Sequence, residues 1–245
     1  MASSPAEPRE GERRALERLT AARLEPLGWI RAASNEALLV RLDGSPDDLA
    51  VYKPDSGERP LWDFPPATLA RRETAAFALS DWLGWDVVPA TVYRDGPHGP
   101  GSVQRFVPHD PARHYFVLLE DESLHPVLRR VALFDLVTNN ADRKASHVML
   151  GPEGVRGCDH GLCFHVEPKL RTVIWDFAGE PIGVEDRDDL RRLADALDSG
   201  GGPALGGLLD PAECAALLRR TRALLGLGHL PDPPEDRRPY PWPLF

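Results

Sequence analysis

No stretch of this sequence is long and apolar enough to cross a membrane, because charges or prolines interrupt every apolar run. Cysteine is scarce. Cys158, Cys163 and Cys214 are an odd number without framework spacing, which argues against a disulfide scaffold and for a reducing compartment. Residues 1–18 are polar and charged, with no apolar core of signal-peptide length, so the expected location is cytoplasmic. Cations are in deficit, 29 Lys and Arg against 38 Asp and Glu, for a formal charge of −9. A general nucleic-acid binder needs clustered Lys and Arg to meet phosphates, so no nucleic-acid partner is expected. No basic amphipathic helix marks a membrane-surface protein either. Internal repeats are absent.

Proline, by contrast, is abundant, at 25 of 245 residues. The length suits one large domain or two small lobes around a shared cleft, with an apolar core that needs no staple. Residues 1–10, rich in Ala, Ser, Pro and Glu, read as a disordered leader. Residues 12–24 have helical spacing, with Leu16, Leu19 and Leu24 on one face. Apolar runs at 37–42 and 49–52 flank Asp43-Gly44-Ser45-Pro46-Asp47, a hairpin pattern. A loop over 54–66 precedes a helix over 68–83, with Thr68 the expected N-cap and Gly84 the stop. Residues 87–93 and 102–107 read as strands. The period then changes. Residues 124–140 read as an amphipathic helix, and 147–150 and 155–159 as strands around the turn Gly151-Pro152-Glu153-Gly154. Residues 186–197 and 211–225 read as helices, and the proline-rich tail 231–245 as extended chain. The expectation is an α+β chain with a strand-rich N-lobe over 11–105 and a helix-rich C-lobe over 106–230.

One region concentrates chemistry. In Asn139-Asn140-Ala141-Asp142-Arg143-Lys144-Ala145-Ser146-His147 the helix ends near Asn140, and Asp142 opens a loop that leads into the strand at 147. The return strand ends at Asp159. In a tight antiparallel hairpin the start of the first strand lies opposite the end of the second. His147 and Asp159 are therefore expected to meet at the open end, beside Asp142. Phosphoryl transfer asks for such a set: one carboxylate for the acceptor hydroxyl, another to hold Mg²⁺ on the nucleotide phosphates, and a cation for the phosphate oxygens. Lys53 ends an apolar strand and can reach an inter-lobe cleft, where Glu73 on the next helix can pair with it. Singly, each has an ordinary alternative as a solvated charge or a turn residue; the order and spacing together favour the phosphate-binding reading. By position, Gln104-Arg105-Phe106-Val107 is the candidate hinge between lobes, with the backbone around Gln104 and Phe106 facing an adenine.

Asn139-Asn140-Ala141-Asp142-Arg143 and Cys158-Asp159-His160-Gly161-Leu162-Cys163-Phe164 resemble the catalytic and metal-binding segments of type II phosphatidylinositol 4-kinases. They are also similar to those of the broader phosphatidylinositol 3-/4-kinase-like superfamily. From about residue 34 to 179 the chain resembles an actinobacterial group assigned to that superfamily. The resemblance implies a two-lobed protein-kinase-like fold and an atypical kinase using ATP with Mg²⁺ or Mn²⁺. It implies Lys53 on the nucleotide phosphates, Glu73 anchoring Lys53, Asp142 with Arg143 as the catalytic pair, and Asp159 as the principal metal ligand. Two departures stand out. His147 occupies the place of the family's second metal ligand, usually Asn, and imidazole suits softer divalent ions than Mg²⁺. There is also no glycine-rich phosphate loop; the nearest candidate is Ala32-Ala33-Ser34-Asn35, with Ser34 and Asn35 toward phosphates, and an ordinary turn is the equal alternative.

Three functional readings remain open from sequence. The first is ATP-dependent phosphotransfer, to a protein or small molecule rather than a lipid. The second is a nucleotide-binding pseudokinase or scaffold, which His147 favours. The third is AMP transfer by ATP bound in reverse. Cys158, His160, Cys163 and His165 match no common zinc spacing. The aromatic loop Arg59-Pro60-Leu61-Trp62-Asp63-Phe64-Pro65 covers the cleft, binds a partner or packs on the lobe. Lys169 and Arg171 are candidates to receive an anionic acceptor.

Overall fold

Alternation builds the first half. In β2 (Leu38–Leu42) and β3 (Leu49–Pro54) every second side chain is buried, the period that places successive residues on opposite faces. The computed structural model describes residues 10–30 and 35–245. Before β2 lie α1 (Glu10–Ala21) and β1 (Leu24–Trp29), and after β3 come α2 (Leu69–Leu83), β4 (Thr91–Gly96) and β5 (Gly99–Arg105). The strands form one antiparallel sheet in the order β1-β2-β3-β5-β4. The close approach of β5 to β3 requires glycine at 101, where a Cβ would lie 2.3 Å from the Lys53 carbonyl oxygen.

The first helix stops at Ala21, and Leu24 instead begins β1, paired with Leu42. Pro26 and Gly28 hid this strand; both are tolerated because β1 is an edge, with its register broken between them. The next two strands also shift from their expected spans, 87–93 and 102–107. Ser80 Oγ accepts the Val87 and Val88 N–H groups, tying that segment to the end of α2. Thr68 occupies the N-cap position of α2 as expected, but its hydroxyl makes no cap hydrogen bond and donates to the Pro65 carbonyl. Glu58 caps it instead, accepting the Leu69 and Ala70 N–H groups at 2.8 and 3.1 Å. α2 is buried on several faces, Arg72 and Glu73 included.

The second half comprises α3 (Tyr115–Leu118), α4 (His125–Thr138), the hairpin β6 (Val148–Gly151) and β7 (Gly154–Gly157), α5 (Val184–Ser199) and α6 (Pro211–Leu227). Leu128, Val131, Phe134 and Val137 of α4 are buried with Leu190 and Leu193 of α5 and Leu217 of α6. Asn139, at φ 56°, takes the left-handed conformation that ends α4. The halves are pinned by the buried Arg72, which donates to the Cys163 carbonyl and pairs with Glu213 of α6. Residues 231–245 hold no helix or strand. They fold back so that Pro239 O accepts the Thr172 N–H and Leu244 O accepts the Ala145 N–H, at 3.0 and 2.8 Å. Among the described residues no helix is long and apolar enough to cross a membrane.

Candidate active site

β3 delivers Lys53, α2 delivers Glu73, and the chain after β7 delivers Asp159. Lys53 Nζ lies 2.5 Å from Glu73 Oε1 and 2.9 Å from Asp159 Oδ1. Glu73 Oε2 accepts the His160 N–H at 3.0 Å, so one buried carboxylate fixes both the lysine and the segment that carries Asp159. Gly161 makes this approach possible, because a Cβ there would come within 3.2 Å of Leu69 Cβ on α2. Asp159 itself has φ 59°, a conformation rare outside glycine, of the kind that clusters where structure holds a side chain for a purpose. Asp142 lines the same cleft, with Asn35, Glu36, Glu58 and Leu162 around it.

The loop that presents Asp142 is held from beneath. Arg143 is fully buried and pairs with the fully buried Asp135 of α4, Nη2 to Oδ1 at 2.9 Å. Its remaining donors reach the carbonyls of His147 and Cys158 and His160 Nε2. Asp135 also accepts from Asn140 Nδ2 and Thr172 Oγ1. Asn140 Oδ1 in turn accepts the Asp142 N–H at 3.0 Å. Arg143 does not line the cleft; its guanidinium binds the loop to the hairpin from below. Lys144, which sequence reasoning passed over, sits 3.5 Å from Asp142 Oδ2. Its position two residues after Asp142 was the available signal.

Electrostatics separate the two carboxylates. Burial pushes Asp142 up to about 6, against the opposing charge of Lys144. Burial also acts to raise Asp159, but the Lys53 ammonium outweighs it and holds the carboxyl well below the usual range. Burial alone would lower the Lys53 pKa; the charges of Asp159 and Glu73 win and keep the ammonium protonated. His147 is pushed down to about 4 by burial. Its Nδ1 lies 3.0 Å from the Asp142 carbonyl, which can only accept, and 3.4 Å from the Lys144 N–H, which can only donate; the shorter contact favours the tautomer with the proton on Nδ1 and Nε2 bare. That lone pair faces Asp159 Oδ2 at 3.4 Å. A bare imidazole nitrogen beside an ionised carboxylate is a donor set that fits a divalent cation, and fits Mn²⁺ better than Mg²⁺. Among the described residues no cluster of three or more His, Cys, Asp or Glu closes on one point. Phosphate oxygens and water would supply the other ligands, as is usual for cations held on nucleotides.

Other expected site residues fall elsewhere. Ser34 lies outside the described residues; Asn35 lines the cleft, its Oδ1 accepting the Arg59 N–H. Gln104 is buried in β5, which is paired on both sides, and its side chain donates to Thr91. Neither Gln104 nor Phe106 lines the cleft; the Gln104 backbone is paired within the sheet, and the Phe106 N–H is taken by the Leu49 carbonyl. Lys169 is held by Asp63 at 2.8 Å and lies over the Trp62 ring, so the aromatic loop is docked on the segment after Asp159. Arg171 is exposed. The Cys158 thiol is pushed up to about 12 by burial, which leaves it a poor nucleophile.

No protein-family model matches the chain. It is 43% identical over 262 residues to protein Rv2133c of Mycobacterium tuberculosis, a match spanning 91% of this chain and 92% of that one. Two solved structures share its architecture. The structure of hydra Fam20 with sugar superposes with a TM-score of 0.53 at 15% identity, covering 86% of each chain. The Golgi casein kinase superposes with a TM-score of 0.50 at 14% identity, covering 90% of this chain and 75% of that one. At these identities the likeness concerns fold alone: the two-lobed, kinase-like α+β fold expected from the sequence.

Proposed function

The chain belongs to the family of the mycobacterial protein Rv2133c, and we propose that it is an ATP-dependent phosphotransferase with a protein or small molecule as acceptor. The observation that carries the reading is the Lys53–Glu73–Asp159 constellation with Asp142 in the same cleft. The similarity of the Asp142 and Asp159 segments to those of phosphatidylinositol 4-kinases supports it. In this reading residues 11–105 and 106–230 are the two lobes. Lys53, fixed by Glu73, meets nucleotide phosphate oxygens. Asp159 and His147 would hold Mg²⁺ or Mn²⁺, which would supply charge neutralisation at the phosphates. Asp142 orients the acceptor hydroxyl and takes its proton as the acceptor oxygen bonds to the γ-phosphorus and ADP departs with the bridging oxygen. A carboxylate with a pKa near 6 is ionised at neutral pH yet more basic than an exposed aspartate, which suits this task. Arg143 is a positioning residue that acts through the loop.

A second reading, nucleotide binding without transfer, is favoured by His147 at the second ligand position. The test supplies ATP labelled at the γ- or the α-phosphate, with Mn²⁺ or Mg²⁺ and fractionated lysate, to the wild type and Asp142→Asn. Transfer of the γ-label that disappears in the variant supports the proposal. Transfer of the α-label identifies AMP transfer instead. Metal-dependent ATP binding without transfer of either label supports the second reading.

A further inference from the structure

Away from the cleft, the second half carries a groove of about 680 Å³ between α6, the end of α4 and residues 166–170. Its walls are apolar, with Leu170, Leu224 and the exposed Val166 and Leu227, 42% and 45% accessible. Three arginines also line it, Arg219, Arg220 and Arg237, and no acidic residue does. In a chain of net charge −9 this is a local reversal of sign.

Arg220 is the anomaly. Its Nε and Nη1 donate to the Val137 and His165 carbonyls, but Nη2 is buried with no hydrogen-bond partner. Buried cations are normally paired. The acid near Arg220 is Glu213, already engaged by Arg72. Burial without full compensation lowers the Arg220 pKa to about 10. The groove is therefore lined by a partly buried, under-compensated guanidinium between apolar walls, with the exposed Arg219 at its margin and Arg237, which pairs with Asp236, beside it. Its occupant must bring apolar surface and negative charge together.

We propose that this groove docks an acidic, apolar peptide segment of the protein that the active site modifies, an inference that rests on the phosphotransferase reading. An open groove with apolar rim residues on both sides suits an extended chain whose leucine-like side chains fill the walls while a carboxylate meets Arg220. Its location ties it to the chemistry. Asn139, which lines the groove, donates to the His165 and Glu167 carbonyls and accepts the Lys169 N–H, and Asp142 follows three residues later. A peptide on Val166 and Leu170 thus lies against the segment that Lys169 fastens to Asp63 at the aromatic loop.

The test is fluorescence anisotropy with a labelled peptide alternating leucine and aspartate, a leucine–lysine peptide of equal length, and dodecyl phosphate as competitor. The aspartate peptide should bind the wild type, weaken as salt rises, and bind Arg219→Glu/Leu227→Asp at least about tenfold more weakly. Both substitutions lie on the exposed rim, and a thermal melt verifies that the variant is folded. Binding of the aspartate peptide should be unchanged in Asp159→Asn, which separates docking from chemistry. If the peptide binds this way and no labelled phosphate is ever transferred, the phosphotransferase reading fails while the docking groove stands. Equal binding of the lysine peptide, unchanged affinity in the rim variant, or binding of dodecyl phosphate alone would each overturn the proposal.

Discussion

Asp135→Asn tests the claim that the Asp142 loop is held by a buried ion pair rather than by its own sequence. The substitution keeps the shape of the side chain and removes its charge, leaving Arg143 fully buried beside a neutral amide. Breaking a buried pair from one side costs about 3–5 kcal/mol, because the remaining charge cannot reach water. Against a total stability of about 5–15 kcal/mol that is a large share. At about 2–4 °C per kcal/mol for a chain of this size, the melting temperature should fall by roughly 6–20 °C. The amide cannot accept from Arg143, Asn140 and Thr172 as the carboxylate does. Under the phosphotransferase proposal, transfer from ATP should therefore fall along with stability. Urea unfolding followed by circular dichroism measures the loss. Adding Arg143→Met removes the orphaned cation, so the double variant should be less damaged than the sum of the two single losses. A single-variant loss below about 1 kcal/mol, or strict additivity in the cycle, would refute the reasoning.

Three further outcomes follow from the same geometry. Asp159→Asn should abolish Mg²⁺- or Mn²⁺-dependent ATP binding in calorimetry while the melting temperature falls only modestly, since the ion pair to Lys53 is lost but Lys53 keeps Glu73; intact metal-dependent binding counts against Asp159 as ligand. With pH, activity should decline as Asp142 becomes protonated near 6, so a rate profile flat from pH 8 to 5 would remove Asp142 from the proton transfer. Stability has its own acid limb. Below about 6.5 the unfolded chain binds a proton that the folded His147, with a pKa of about 4, refuses. That contribution is lost at up to about 1.4 kcal/mol per pH unit as pH falls between those values. His160, also depressed by burial, acts in the same sense, and Asp142 opposes both because its folded pKa is raised. In metal-free buffer His147→Asn should flatten this limb, and an unchanged slope between pH 6.5 and 5 contradicts a buried neutral imidazole. Finally, removing residues 239–245 takes the acceptors from the Ala145 and Thr172 N–H groups. At about 1–3 kcal/mol per stranded donor the truncated protein should be destabilised and its Asp142 loop should exchange amide hydrogens faster; unchanged protection of Ala145 would show that the tail is dispensable.

Much of the molecule was legible in one dimension because the signals are local. The 43–47 turn between apolar runs announced β2 and β3, and the 151–154 turn announced the hairpin that brings His147 to Asp159. Gly84 marked the end of α2, where it takes φ 71°. Lys53, Asp142 and Asp159 stand out in the sequence because strand ends and hairpin openings follow from the period of the chain, and Glu73 stands out by its place on the helix that follows Lys53. Tertiary structure decided what depends on partners distant in sequence. β1 was hidden by Pro26 and Gly28, which only an edge position tolerates. The cap hydrogen bonds of α2 passed from Thr68 to Glu58, because a carboxylate ten residues upstream folds back onto the helix start. Arg143 looked catalytic beside Asp142, yet it is directed inward by Asp135 eight residues earlier. The unpaired Nη2 of Arg220 exists only because α6 packs it against carbonyls from α4 and residue 165. Periodicity specifies which face a residue occupies, but the charge, solvation and freedom of a side chain are set by neighbours that only the folded chain brings within a few ångströms.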